Sequence, residues 1–256
     1  EVFSLVWDLL EDDGVLWLNL GDSYYNYRPG KGQRQGKQTI ASQKFSEVET
    51  CPKRGNRFEG IKEKDLIGIP WRVAFALQAE GWYLRQDIIW SKPNPMPESV
   101  KDRCTKSHEY IFMLTKQPRY YFNNEAITEE VEASTLSRLM QDVGGQEGSD
   151  RVPGKTNGSM KAVHGVIDGK RNKRSVWNVA TQPYKGAHFA TYPAELIEPC
   201  ILAGSRAGDI VFDPFMGSGT TAQVAQALGR KYLGCELNPE YAPLFNHRTS
   251  QPSLEF

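Results

Sequence analysis

Two carboxylates and two glycines near the C-terminus carry the chemistry that can be read first. The segment DIVFDPFMGSGTT (209–221) puts Asp213 at the end of an apolar run. Gly217 and Gly219 fall in the turn that follows, and Thr220 and Thr221 open the next stretch. Glu236 comes 23 positions after Asp213, at the end of a second apolar run, KYLGCE (231–236). A strand, a glycine turn and a helix N-terminus form a crevice at the strand's carboxyl end, where an acidic residue about 20 positions on meets ribose hydroxyls. Glycine lets a ligand approach the backbone closely. Dinucleotide sites read GxGxxG and seat a pyrophosphate on the helix N-terminus. Here the turn reads DPFMGSG, and Asp213 would repel a phosphate but attract a cation. S-adenosylmethionine has a ribose, a sulfonium, an ammonium and no phosphate, and suits both carboxylates.

These residues need elements to position them. The spacing predicts a strand over 209–213, a helix over 220–229 and a strand over 231–236, one β–turn–α–β unit of a doubly wound sheet. A helix is expected over 193–203, ended by Gly204. Nearer the N-terminus, Val2, Leu5, Val6, Leu9 and Leu10 recur at helical spacing, and VLWLNLGD (15–22) reads as a buried strand. Residues 70–80 form a helix with Pro70 in its first turn, and 82–92 a strand that PNPMP (93–97) stops. HEYIFMLTK (108–116) and RYYF (119–122) read as an antiparallel pair around Gln117-Pro118.

Two segments lack periodicity and gather charge. From Tyr24 to Lys64 there are ten Lys/Arg against four Asp/Glu, and from Arg151 to Arg174 seven Lys/Arg against one Asp. The whole chain of 256 residues carries 31 basic and 31 acidic side chains, so only such clusters can point to a polyanion. The four cysteines, Cys51, Cys104, Cys200 and Cys235, make no CxxC pair, which disfavours zinc and a disulfide framework and fits a reducing compartment. No stretch approaches the ~18 apolar residues of a membrane span. No metal site is expected.

The C-terminal third, HFATYPAELIEPCILAGSRAGDIVFDPFMGSGTTAQVAQALGRKYLGCELNPEY (188–241), resembles the corresponding half of the beta-class DNA amino-methyltransferases, the N6-adenine/N4-cytosine family. DGVLWLNLGDSY, IPWRVAFALQAEGWYLRQDIIWSKPNPMPES and HEYIFMLTK resemble motifs of its N-terminal half. The resemblance implies a Rossmann-like α/β sheet with helices on both faces and an inserted target-recognition region. It divides the chain into 1–122 (target-base side, with the basic loop 23–64), 123–174 (recognition insertion) and 175–256 (cofactor half). Asp213, Phe215, Gly217 and Gly219 would hold the methionine and sulfonium end of S-adenosylmethionine. Thr220 and Thr221 would meet its carboxylate, Glu236 its ribose, and His188, Phe189, Ala190 and Thr191 its other side. Lys92, Pro93 and Asn94 would border the flipped base. Arg28, Lys31, Arg34, Lys170, Arg171, Lys173 and Arg174 would contact double-stranded DNA. Direct transfer to an amino nitrogen needs no cysteine nucleophile, so Cys104 and Cys235 are expected to be structural.

The sequence departs from this family at one point. Its catalytic tetrapeptide reads Asp, Ser or Asn, then Pro-Pro, then an aromatic, and no Pro-Pro occurs among these residues. TQPY (181–184) is only superficially similar and lies in the wrong place. Glu1 begins inside a periodic segment, which reads as a trimmed N-terminus with the tetrapeptide upstream. The strands at 15–20 and 209–213 are then expected to flank an empty position rather than pair, and these residues alone to bind cofactor without methylating DNA. Competing readings are a catalytically inactive DNA-binding module, an RNA methyltransferase, and a nicotinamide oxidoreductase, which the missing GxGxxG disfavours. A cytoplasmic enzyme of bacterial, archaeal or phage origin, monomeric or homodimeric, with a restriction endonuclease as a candidate partner, completes the expectation.

Overall fold

The structure is a computed structural model that describes residues 1–25, 60–131, 169–182 and 192–250. Five helices and eight strands appear among them. In chain order these are α1 (Val2–Leu9), β1 (Val15–Leu20), α2 (Ile69–Ala79), β2 (Tyr83–Ser91), β3 (His108–Thr115), β4 (Glu129–Glu130), β5 (Lys170–Arg171), β6 (Val176–Asn178), α3 (Ala194–Gly204), β7 (Ile210–Asp213), α4 (Thr220–Ala227), β8 (Lys231–Gly234) and α5 (Ala242–Thr249).

β3 is the spine of the larger sheet, whose strand order is β1-β3-β2-β6. It runs antiparallel to both β1 and β2, while β2 and β6 are parallel. Its last five residues, Ile111 to Thr115, are all buried, as expected of a strand covered on both faces. Alternation sends its side chains to opposite layers. Phe112 and Leu114 pack with Leu18 against Val6 of α1 and Ala74 and Leu77 of α2. Ile111 packs on the other face with Ile88, Trp90 and Trp177 against Leu196 and Cys200 of α3. The sheet is thus mixed, with helices on both faces.

The expected hairpin between 108–116 and 119–122 does not form. Both edges of β3 are taken, one by β1 and one by β2, so RYYF has no edge to join. Instead Tyr121 N–H donates to Asp13 C=O at 2.8 Å. β6 is a strand the periodicity did not signal: three residues are too few to show a period.

Two other connections bear on the site. Asp22, just past β1, accepts from the backbone N–H groups of Gly68 and Ile69 at 3.0 Å each and so caps α2. With the Tyr24–Leu66 bridge this closes the base of the basic loop, whose residues 26–59 are outside the described set. β4 and β5 pair antiparallel at the base of the segment 132–168, also outside it.

β7 and β8 form a separate parallel pair, with Asp213 opposite Gly234. No ladder joins β7 to β1 among the described residues. The two sheets touch through Phe212, which packs on the α1–α2 layer, and through the Arg206–Asp13 ion pair at 3.0 Å. The indole Nε1 of Trp17, on β1, is buried without a hydrogen-bond partner.

Candidate active site

β7 and β8 end side by side, so Asp213 and the residues after Gly234 share one crevice. The turn between β7 and α4 is fixed by backbone bonds: Met216 N–H to Cys235 C=O and Gly219 N–H to Met216 C=O, each 2.9 Å. Gly219 sits at φ +86, a left-handed conformation that favours glycine. A Cβ there would come within 2.7 Å of the Phe245 ring, so this glycine admits a protein side chain rather than a ligand.

Glu236 is held by two backbone donors, Gly217 N–H at 2.8 Å and Asn238 N–H at 2.7 Å. It thereby ties the glycine turn to the end of β8. Glu236 lines a cavity of about 290 Å³ with Tyr232, Leu233, Tyr241 and Phe245. Aromatic walls and a carboxylate on the rim suit an adenine ring and a ribose. Leu233, in this lining, is exposed, as are Phe215 and Leu237 next to lining residues in the sequence. Cys235 also lines the cavity and is exposed.

Asp213 is bonded on both oxygens. Oδ1 accepts from Phe215 N–H at 2.9 Å, and the hydroxyl oxygens of Thr221 and Tyr192 both lie within hydrogen-bond reach of Oδ2. The other expected threonine, Thr220, accepts from the Arg248 guanidinium. Both threonine hydroxyls therefore already have protein partners. Tyr192 is a site residue that residue-by-residue reading missed. It lies within the HFATYP element, but only the fold shows that its hydroxyl reaches Asp213. His188, Phe189, Ala190 and Thr191 lie outside the described residues, as do Arg28, Lys31 and Arg34.

On the target side, Lys92 forms an ion pair with Glu109 and stands over the Trp90 ring, 4.2 Å from its centroid. Asn94 clamps Thr181, donating to its C=O at 2.9 Å and accepting from its N–H at 2.8 Å. Lys92, Pro93 and Asn94 thus join the end of β2 to β3 and to the segment after β6. A second cavity, about 380 Å³, lies beside them between Asp22, Tyr24, Arg103, Lys106 and Tyr110. Lys106 Nζ is buried there with no hydrogen-bond partner, and burial lowers its pKa.

In the second basic cluster, Arg171 (3.6 Å), Lys173 (3.7 Å) and Arg174 (3.2 Å) converge on one carboxylate, Glu129. Lys170 is exposed at the start of β5. Among the described residues no cluster of His, Cys, Asp and Glu could hold a metal ion, and no helix is long and apolar enough to cross a membrane.

Comparison with known proteins agrees with this arrangement. The family profile of the N6/N4 DNA methylases matches residues 1–247. The Type II methyltransferase M.Cfr9I of Citrobacter freundii is 47% identical over 247 residues, covering 96% of this chain and 68% of that protein. M.SmaI of Serratia marcescens is 44% identical, covering 97% and 71%. Among solved structures, the PvuII cytosine-N4-specific DNA methyltransferase shares the fold at a TM-score of 0.60 and 16% identity, over 99% of this chain and 71% of that one. A DNA modification methylase of Thermus thermophilus, complexed with S-adenosyl-L-methionine, does so at 0.55 and 22%, over 100% and 76%. The chain belongs to the N6/N4 DNA methylase family, and its activity is S-adenosylmethionine-dependent methylation of amino groups in DNA.

Proposed function

We propose that this enzyme methylates the N4 of cytosine or the N6 of adenine at one recognition sequence in double-stranded DNA, in the cytoplasm of a bacterium and alongside a restriction endonuclease. The observation that carries the site assignment is the pair of strand-end carboxylates, Asp213 and Glu236, meeting at one crevice with an aromatic cavity. Glu236 takes the ribose hydroxyls, and Asp213 with Phe215 and Gly217 takes the methionine end, Gly219 serving the turn by making room for Phe245. The segment 188–191 covers the cofactor's other side.

S-adenosylmethionine supplies an electrophilic methyl group on a positively charged sulfur. The protein's task is placement. An exocyclic amino nitrogen is a weak nucleophile because its lone pair is conjugated into the ring. It must be aligned with the methyl carbon, and a base inside a duplex must first be flipped out. Lys92, Pro93 and Asn94 border the base on the far side from the cofactor. The basic residues Arg28, Lys31, Arg34, Lys170, Arg171, Lys173 and Arg174 hold the DNA backbone, with 123–174 reading sequence. The acceptors that orient the amino group come from a Pro-Pro tetrapeptide outside these 256 residues. It would be carried on a strand between β1 and β7, each of which has one edge without a partner strand among the described residues.

The test is a pair of measurements. Calorimetry should show S-adenosylmethionine binding to the chain, weakened in Glu236→Ala. Labelled methyl transfer to DNA should be absent for these residues alone. It should appear, as N4-methylcytosine or N6-methyladenine, when the tetrapeptide segment is present. Unchanged affinity in Glu236→Ala refutes the ribose assignment, and robust transfer without the tetrapeptide refutes its role.

A further inference from the structure

The carboxylate of Asp213 is tethered by a hydroxyl chain that cofactor binding alone does not demand. Tyr192 Oη lies 2.6 Å from Thr221 Oγ1 and 3.1 Å from Asp213 Oδ2, and Thr221 Oγ1 also meets Oδ2. Each hydroxyl carries one proton. Three contacts therefore share two protons. If both hydroxyls donated to Oδ2, two hydroxyl oxygens would face each other at 2.6 Å with no proton between them, which is repulsive. The order that satisfies the distances runs from Tyr192 O–H to Thr221 Oγ1, and from Thr221 O–H to Asp213 Oδ2. Oδ1 is fixed separately by Phe215 N–H.

Thr221 is buried, so this chain is shielded from water that would otherwise compete for it. Desolvation, and then the charge of Asp213, raise the pKa of the Tyr192 hydroxyl, so it remains a donor throughout the working pH range. Tyr192 directly precedes Pro193, the residue from which α3 starts. The chain therefore fastens the entry of α3 to the end of β7, 21 positions later.

We propose that Tyr192 is a positioning residue for the cofactor site: acting through Thr221, its hydroxyl sets the orientation of the Asp213 carboxylate. The inference rests on the reading of Asp213 as a cofactor carboxylate. It also replaces the contact expected of Thr221, because a hydroxyl that donates to Asp213 has no proton left for the cofactor's carboxylate. Phenylalanine at 192 would keep the ring and lose only the relay.

The test is a double-mutant cycle on the chain, read in two ways. Tyr192→Phe should weaken S-adenosylmethionine binding by up to about tenfold, the upper end for one hydrogen bond between neutral groups. Thr221→Val should weaken it at least as much. Adding Tyr192→Phe to Thr221→Val should not cost the same factor as Tyr192→Phe alone, because the relay through Thr221 is already cut and only the direct 3.1 Å contact with Asp213 is left. Urea unfolding of the same four proteins measures the coupling without any cofactor. Unchanged affinity in Tyr192→Phe, or losses that simply multiply in the double variant, overturns the proposal. Coupling in unfolding with no change in affinity makes the chain a packing feature, which also overturns it. If the unsubstituted chain takes no S-adenosylmethionine while the unfolding coupling persists, the cofactor reading fails, and the positioning role fails with it.

Discussion

Gly208 and Gly219 offer a controlled comparison, because they share a backbone conformation and differ in surroundings. Their φ angles are +88 and +86. Alanine in the left-handed region costs roughly 1–2 kcal/mol, so that part should be the same at both positions. Nothing lies within 4 Å of a Cβ built at Gly208. At Gly219 the added carbon would meet Phe245 Cδ2 at 2.7 Å and Phe245 Cα at 3.4 Å. The second contact is an ordinary one, so the strain falls on the ring, which must shift from its packing on Tyr232. Overpacking of this kind costs roughly 1–3 kcal/mol. Gly208→Ala should therefore lose about 1–2 kcal/mol and Gly219→Ala about 2–5. Urea unfolding of both variants measures the difference. Calorimetry adds a second reading. Phe245 packs edge-on to Tyr232 at 5.8 Å and both line the cavity, so Gly219→Ala should also weaken S-adenosylmethionine binding. Gly208 lies at the other end of β7, and Gly208→Ala should leave binding alone. Equal destabilisation of the two variants would refute the packing argument for Gly219.

Three further outcomes are expected. Replacing Lys170, Arg171, Lys173 and Arg174 with Gln should lower the slope of log affinity for DNA against log salt by up to about 3, since four cations less the one charge of Glu129 leave about three for phosphates at roughly 0.9 each; an unchanged slope would make the cluster a solvated face. Lys106→Met should raise the urea midpoint near neutral pH, because it removes a buried ammonium with no hydrogen-bond partner. The lysine's folded pKa lies below its ordinary 10.5, so the gain should be full below that folded value and fade as pH climbs towards 10.5; a gain that grows with pH would contradict this. S-adenosylmethionine should slow alkylation of Cys235, which lines the cavity, and leave the exposed Cys104 unaffected, while buried Cys200, whose thiol pKa burial raises, reacts only on unfolding; equal protection of Cys104 and Cys235 would place the cofactor elsewhere.

The β7–turn–α4–β8 unit was legible because all its determinants are local. Apolar runs, glycines and strand-end acids lie within a few tens of residues, and each constrains its neighbours directly. Hydrogen-bond partners far along the chain were not legible. Nothing in local spacing says that Tyr192 meets Asp213, that Asp22 caps a helix 46 positions later, or that Glu129 collects three cations from beyond 169. RYYF misled for a related reason. Its aromatic residues favour strands, but pairing depends on a free edge, and only the topology shows that β3 has none. The same limit applied to β6, whose three residues become a strand because the C-terminal half of β2 offers an open edge.

The division of the sheet into two pieces also bears on catalysis. The carboxylates of Asp213 and Glu236, proposed to hold the cofactor, stand at the ends of β7 and β8, while Asn19, Asp22, Lys92 and Glu109 gather at the ends of β1, β2 and the start of β3. Methyl transfer requires these two groups to keep a fixed separation to within a fraction of an ångström. Among the described residues, they are tied by α3, which packs Leu196 and Cys200 on the larger sheet and Ile201 among Val211, Val224 and Tyr232 of the smaller unit, and by Phe212, one surface ion pair and the bond from Asn123 N–H to Ala203 C=O at 2.8 Å. Exposed ion pairs contribute at most about 1 kcal/mol, and packing alone does not set a register. A strand bonded to both β1 and β7 would set it. Every backbone group it bonded would lock the target side to the cofactor side in steps of one residue. Trp17, on β1, packs on the face that α3 covers, with its indole Nε1 buried without an acceptor, and reports on how α3 sits on β1. Its indole fluorescence should shift when a segment carrying a Pro-Pro tetrapeptide is supplied. A Trp17 signal indifferent to that segment would mean the two sheets are held in register by something else.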